Sequence, residues 1–304
     1  MWGRLQRERA TSGLVGLGVH ASGLSVVQVR RPPRGPVQIV AAEFRPFAGV
    51  PPEKVLARLV LDYDLKRQRC TTLLRDGEYR LIQTEAPDVK PDELKAALRW
   101  RIKDLIDFHV NDATIDVFDV PVQMPGRTAL VYVVVGRNEA IRKRVEFFQD
   151  AGVALDIIDI PELAQRNLAL LLPQDQEGTA LLTLNEDAGL ITITRGGELY
   201  LSRTIAGGVG GVTEGTGFER FLLELQRSLD YFESSFRQNP IMNVVVGPWS
   251  PQVTALADFL KANLSQRVTL WEEGRYGDIS APVRVPENCF LTLGAALRED
   301  KVVL

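Results

Sequence analysis

Gly16-Leu17-Gly18-Val19-His20-Ala21-Ser22-Gly23-Leu24-Ser25-Val26-Val27 decides the fold, because a stretch of the same design returns in the second half of the chain. The second copy is Thr183-Leu184-Asn185-Glu186-Asp187-Ala188-Gly189-Leu190-Ile191-Thr192-Ile193. Each reads as an apolar strand, a short polar turn and a second apolar strand, the pattern of a tight hairpin. Placing Gly23 on Gly189 gives an offset of 189 − 23 = 166 residues.

The surroundings of the two hairpins match as well. The first continues into a strand at Val37 to Phe44, an amphipathic helix from Pro52 to Tyr63 and a strand at Cys70 to Leu74. The second continues into a strand at Glu198 to Thr204, a helix from Phe218 to Phe236 and a strand at Asn243 to Gly247. That helix carries Phe218, Phe221, Leu222, Leu225, Leu229 and Phe232 on one face. Ser250-Pro251, a capping residue before a proline at the first helical position, opens a further helix. Two copies of one order predict two lobes of one design, with their first hairpins facing across a cleft. A chance likeness of two β-meanders is the competing reading.

Between the copies lies a segment without a counterpart. Pro91 to His109 reads as a helix with Leu94, Leu98, Ile102, Leu105 and Ile106 on one stripe. Strands at Ala113 to Val120 and Ala129 to Val135 flank the turn Met124-Pro125-Gly126-Arg127. A helix from Asn138 to Ala151 closes on Gly152, giving an inserted αββα unit. A strand, Leu155 to Ile160, and a helix from Glu162 to Leu172 then lead into the second lobe. The expected division is a flexible basic N-terminus at 1–12, a first lobe at 13–85 with 156–177, the insertion at 86–155 and a second lobe at 178–304.

Composition bounds the function classes. The 304 residues are 45% hydrophobic and 25% charged, with mean hydropathy −0.03, as in ordinary globular domains. With 36 basic against 39 acidic residues the net charge is −3, which gives no reason to expect nucleic-acid binding. Cys70 and Cys289 sit in apolar stretches and read as reduced core thiols; with His20 and His109 they make no metal-ligand pattern. No apolar run reaches the roughly 20 residues of a membrane span. Trp2 and Leu5 among Arg4, Arg7 and Arg9 leave two readings of the N-terminus, a disordered tail or a contact with an anionic membrane surface.

Several further stretches read as signatures of one family. They are Gln83-Thr84-Glu85-Ala86-Pro87, Leu98-Arg99-Trp100-Arg101-Ile102-Lys103-Asp104-Leu105-Ile106-Asp107-Phe108 and Asp156-Ile157-Ile158-Asp159-Ile160-Pro161-Glu162-Leu163-Ala164. Glu224-Leu225-Gln226-Arg227-Ser228-Leu229-Asp230-Tyr231-Phe232 and Leu293-Gly294-Ala295-Ala296-Leu297-Arg298 belong with them. Together these stretches resemble the PilM family of actin-like type IV pilus proteins; the wording is most similar to its MshI branch, from MSHA (mannose-sensitive haemagglutinin) pilus biogenesis, and it spans nearly the whole chain. The resemblance implies an α/β, actin-like ATPase (ribonuclease H-like) duplicated two-lobe fold with the inserted subdomain. It also implies a cytoplasmic assembly protein at the inner membrane that holds the tail of a PilN-type single-pass membrane protein beside the insertion, with ATP and magnesium in the interlobe cleft.

Against the family's hairpin wording, Gly-Ile-Asp-Ile-Gly-Ser, the cleft motifs are degenerate. Gly16-Leu17-Gly18-Val19-His20-Ala21 has Gly18 for the aspartate and His20 for the closing glycine. In the second hairpin Thr183-Leu184-Asn185 lacks the aspartate, and Glu186 and Asp187 place carboxylates in the turn, where they repel phosphate unless a metal intervenes. The adenine-side glycine cluster becomes Gly247-Pro248-Trp249, and Pro248 lacks an N–H. The residues left to a nucleotide, if it binds, are Gly16, Gly18, Ser22, Asn185, Glu186, Asp187, Gly207, Gly208, Gly247 and Gly294, with Gly210 and Gly211 nearby. The same glycines also read as backbone geometry kept for the fold.

No catalytic constellation stands out, since Ser22 and Ser202 lack a marked base. Binding energy is then expected from protein contacts. At 100° per residue Trp100 points away from the apolar stripe, beside Ala96, Lys103 and Asp107, with Arg99 and Arg101 adding charge. The expectation is therefore a non-enzymatic scaffold with a partner surface at Trp100, Arg99, Arg101, Lys103 and Asp107. The alternative is a nucleotide-dependent switch or weak ATPase.

Overall fold

The computed structural model describes residues 13–121, 128–185, 188–208, 210, 215–271 and 279–299. It divides into two compact units, one formed by the residues up to Leu73 and from Leu155 onward, the other by Leu74–Ala154.

The larger unit holds two five-stranded sheets of one design. In the first, strands β1 (Val15–Val19), β2 (Gly23–Arg30), β3 (Gln38–Pro46), β4 (Cys70–Leu73) and β8 (Leu155–Asp159) lie in the order β3-β2-β1-β4-β8. The second contains β9 (Thr179–Leu184), β10 (Ala188–Arg195), β11 (Glu198–Ala206), β12 (Asn243–Gly247) and β13 (Arg267–Leu270), in the order β11-β10-β9-β12-β13. The first three strands of each are an antiparallel meander, and the last two add in parallel. Parallel addition needs a crossover. Helix α1 (Pro52–Asp62) makes it in the first copy and α5 (Thr216–Phe236) in the second.

Both helices form where the apolar period predicts. α1 buries Val55, Leu56, Leu59 and Val60; α5 buries Phe218, Phe221, Leu225, Leu229, Phe232 and Phe236. Fully burying one such phenylalanine stabilises by about 1.5–3 kcal/mol. Helix α6 (Pro251–Asn263) starts as its sequence specifies, with the Ser250 hydroxyl accepting from the Val253 N–H at 3.3 Å. α4 (Pro161–Ala169) and α7 (Phe290–Ala296) lie between the sheets. One core cluster joins Val27, Val29 and Ile39 of the first sheet to Leu181 and Val245 of the second, through Leu168 of α4 and Leu293 of α7.

The smaller unit has a three-stranded antiparallel sheet in the order β5-β7-β6, from β5 (Tyr79–Glu85), β6 (Ala113–Asp119) and β7 (Leu130–Arg137). Helix α2 (Leu94–Ile102) lays Leu98 and Ile102 on Ala113, Ile115, Val131, Val133 and Val135. Helix α3 (Asn138–Asp150) buries Phe148 and Arg144, whose guanidinium makes a paired contact with the Glu78 carboxylate at 2.8 and 2.9 Å. A buried arginine needs such a partner, since an unpaired charge there costs several kcal/mol.

Two expectations are corrected here. The strand at 79–85, expected in the first lobe, pairs along its whole length with β7, so the inserted sheet has three strands rather than two. The helix expected from Pro91 to His109 runs only from Leu94 to Ile102. The chain leaves helix after Ile102, which lets Ile106, Phe108 and Val110 reach the same core from an irregular segment and leaves Leu105 58% exposed. Arg99 holds this return by donating to the carbonyls of Val110 at 2.6 Å and Ala113 at 3.3 Å.

Candidate functional site

The two hairpins close with equivalent backbone hydrogen bonds. In the first, the His20 N–H donates to the Gly23 carbonyl at 2.9 Å and the last strand pair is Val19 with Leu24. In the second, the Asn185 N–H donates to the Ala188 carbonyl at 3.0 Å and the last shared pair of β9 and β10 is Leu184 with Gly189. The structural offset is thus 189 − 24 = 165, one less than the glycine match implies. A one-residue slip changes which face every side chain occupies. On the structural register Gly18 corresponds to Thr183, since 183 − 18 = 165.

Both of these positions are closed by the protein's own side chains. A Cβ on Gly18 would lie 2.2 Å from Ser25 Oγ, 2.5 Å from Thr292 Oγ1 and 2.9 Å from His20 Nε2. Those three groups are bonded to one another, His20 Nε2 to Ser25 Oγ at 2.7 Å and Ser25 Oγ to Thr292 Oγ1 at 2.6 Å. Ser25 and Thr292 are buried, and the His20 ring stands edge-on to Phe44 with centroids 5.4 Å apart. At the corresponding place in the second hairpin, the Thr183 hydroxyl donates to Gln165 Oε1 at 2.5 Å. The Gln165 amide donates in turn to the carbonyls of Leu181 at 2.5 Å and Leu190 at 3.1 Å, leaving no polar atom of this buried side chain orphaned.

The other described residues assigned to a nucleotide divide into three groups. Gly16, Gly247 and Gly294 are places where chain approaches chain: a Cβ would meet Thr292 O at 2.3 Å, Trp271 Cβ at 2.9 Å and Ala164 O at 2.2 Å respectively. Gly207, with positive φ, lies under the Arg220 guanidinium, and Gly208 is buried beside it. Ser22 and Asn185 serve their turns, through the Ser22 carbonyl accepting from Phe47 N–H and Asn185 Oδ1 accepting from Ala188 N–H. Glu186, Asp187 and Gly211 lie outside the described residues, as do the 1–12 segment and the 124–127 turn.

Beside Gly247 is an open cavity of about 460 Å³ lined by Pro248, Trp249, Trp271, Arg284, Glu287 and Phe290. Its walls are chiefly ring surfaces, with one cation and one carboxylate at the rim. Among the described residues, positions 18 and 183 of the two hairpins offer no carboxylate to a magnesium triphosphate. The hydroxyls and imidazole fill the space a carboxylate at position 18 would need, Thr183 is turned toward Gln165, and Pro248 brings no N–H donor. Among the described residues no group of three or more His, Cys, Asp or Glu is placed to hold a metal.

On the smaller unit the five residues expected at a partner surface separate. Trp100 is 72% exposed, and Lys103 Nζ lies 5.9 Å from its ring centroid. Arg99 is bound to the carbonyls described above, and Arg101 donates to the Glu85 carbonyl at 2.5 Å. Asp107 pairs with Arg137 at 2.8 Å. Trp100 and Lys103 therefore face outward, while Arg99, Arg101 and Asp107 hold the subdomain together. Tyr231 is also exposed, whereas Phe236 packs in the α5 core.

Sequence reasoning missed Gln165, Asn167 and Thr292. Thr292 has a signal, a polar side chain between Leu291 and Leu293 in an otherwise apolar short helix, whereas Gln165 and Asn167 stand among Glu162 and Arg166 and are not marked by their neighbours. Asn167 donates to the Gly294 carbonyl at 2.9 Å, so the residue that ties α4 to α7 is a buried amide. Arg298 donates to the buried Asp159 carboxylate at 2.6 Å, another pairing invisible along the chain.

No protein-family model matches the chain, and no curated protein matches it. Solved structures do. A chain of the PilM–PilN type IV pilus biogenesis complex aligns with a TM-score of 0.73 at 19% identity, covering 95% of this chain and 98% of that one. The cytoplasmic domain of EpsL, an inner membrane component of the type II secretion system of Vibrio cholerae, aligns with a TM-score of 0.53 at 13% identity, covering 95% and 97%. The duplicated sheets, their shared strand order and this whole-length similarity make the chain an actin-like, two-lobed α/β protein of PilM-like fold with an inserted subdomain.

Proposed function

We propose that this chain is a non-enzymatic scaffold of a type IV pilus or related secretion machine, of the MshI type, which holds the cytoplasmic tail of a PilN-type inner-membrane protein. The observation that carries the reading is the match, over nearly the whole of both chains, to a structure of the PilM–PilN complex. The proposed contact is Trp100, with Lys103 beside it, on the inserted subdomain. A large exposed aromatic with a basic neighbour is the kind of anchor that concentrates binding energy. The proposed location is the cytoplasmic side of the inner membrane, reached through the partner, and its support is the similarity to the PilM–PilN complex and to the cytoplasmic domain of EpsL.

The test is binding of the full chain to a synthetic tail peptide from a co-encoded single-pass membrane protein, followed by fluorescence anisotropy with and without Mg-ATP. The scaffold reading expects saturable binding with the same Kd in both conditions. Absence of binding at high micromolar peptide overturns it.

The second reading, a nucleotide-dependent switch or weak ATPase, is favoured by the ring-lined cavity beside Gly247. A ligand at about 100 times its Kd stabilises its protein by about 2.7 kcal/mol. An upward shift of the melting temperature by millimolar Mg-ATP would support this reading, and an unchanged melt would remove it.

A further inference from the structure

Three sets of buried and half-buried hydrogen bonds lie at the two hairpins and between them, joined to one another through the backbones of α7 and α4. His20 binds Ser25 within the first hairpin, and Ser25 binds Thr292 of α7. Two residues further along α7, the Gly294 carbonyl accepts from Asn167 of α4 at 2.9 Å. Two residues back along α4, Gln165 bonds to Thr183, Leu181 and Leu190 of the second hairpin. α4 and α7 cross so closely at Gly294 that a methyl group there would lie 2.2 Å from the Ala164 carbonyl, so neither helix can slide without displacing the other.

We propose that these six side chains, His20, Ser25, Thr292, Asn167, Gln165 and Thr183, form a built-in strut that couples the two hairpins and holds the cleft in one conformation without a ligand. The disagreement between the cleft residues and a magnesium triphosphate is the reason the proposal is needed. In a hinged two-lobe protein a bound ligand can tie facing hairpins together. Here the corresponding positions Gly18 and Thr183 are closed by side-chain hydrogen bonds inside the protein, so the tie is permanent. Such a network is strong where it is buried and fully satisfied, and the loss of one member leaves its neighbour orphaned at a cost. The polar link between the two ends runs through α7 and α4, beside the apolar cluster that joins the sheets, so the strut makes the stability of one hairpin depend on a residue of the other.

Hydrogen–deuterium exchange on the full-length protein tests this. Thr292→Val removes the hydroxyl and keeps the shape; Thr292→Ser keeps the hydroxyl. The strut requires Thr292→Val to speed exchange by about tenfold in β1–β2 and also in β9–β10, the scale expected when a buried hydrogen bond is broken. It requires Thr292→Ser to stay near the wild type, and it requires millimolar Mg-ATP to leave exchange of both wild-type hairpins unchanged. A rise confined to β1–β2 would overturn the coupling, and protection of the hairpins by Mg-ATP would overturn the permanent tie. Gln165→Met, probed from the other end, must loosen β1–β2 as well; an effect limited to β9–β10 has the same adverse meaning.

Discussion

The Ser25 hydroxyl lies 2.6 Å from the Thr292 hydroxyl across 267 residues of sequence, at the spot where a side chain on Gly18 would have to go. Position 18 therefore has no room for the aspartate that the family's hairpin wording carries there. Restoring it, Gly18→Asp, would press a carboxylate into a buried site already filled by three bonded groups. The substitution is expected to destabilise by at least about 3 kcal/mol, from overpacking together with an unpaired buried charge. Urea denaturation measures it, and a loss below about 1 kcal/mol would mean that the plug yields readily.

Gly294→Ala separates two effects of opposite sign. Alanine in a helix gains up to about 1 kcal/mol over glycine, but here its methyl meets the Ala164 carbonyl at 2.2 Å, which is backbone and cannot rotate away. Packing wins, with a net loss of about 1–3 kcal/mol expected. The midpoint of chemical denaturation decides between the two signs.

Trp100→Ala is expected to leave stability within about 0.5 kcal/mol of the wild type, because the ring is 72% exposed. Its expected cost lies in partner binding, at about tenfold or more in Kd for the tail peptide. Arg99→Ala should behave in the opposite way. It frees the Val110 and Ala113 carbonyls and lowers the melting temperature, through a loss of about 1–2 kcal/mol. Paired melting and anisotropy measurements on the two variants distinguish contact from support.

Asp175 supplies a pH dependence with a definite sign. Its carboxyl is buried, accepting from the Thr194 hydroxyl and the Gly197 N–H, and burial raises its pKa above the usual aspartate value despite those two bonds and nearby Arg195. The folded protein therefore holds this proton more tightly than the unfolded chain. The resulting stabilisation is complete below the unfolded-state pKa and is lost as pH rises through the raised folded value. Asp175→Asn removes this slope, so as pH rises from about 4, the ordinary aspartate value, through the raised folded value the wild type should lose more stability than the variant. Parallel urea titrations across that range check the difference.

Much of the architecture follows from local pattern. Strand alternation, the 3.6-residue stripe of α5, the Ser250-Pro251 start of α6 and the two matched turns are properties of short segments, so the duplicated two-lobe fold is readable from sequence alone. The periodicity misleads at Leu105, because a helical stripe says nothing of where the chain must turn to fill a core. Glycine likeness likewise misleads by one residue in superposing the repeats, since hairpin closure, not residue identity, sets the register.

By itself, then, the sequence determined the repeat, its element order, the place of Trp100 off the apolar stripe of its helix and the absence of a carboxylate at Gly18 and Thr183. Only the tertiary structure decided what fills those places. Ser25 meets Thr292 across 267 residues, and Gln165 of α4 meets Thr183 across 18. β5 joined the inserted sheet for the same reason, because pairing with β7 across 45 or more residues satisfies its backbone. Hydrogen bonds of this kind are set by which elements pack together, and a linear pattern carries the identity of the donor but not that of its acceptor.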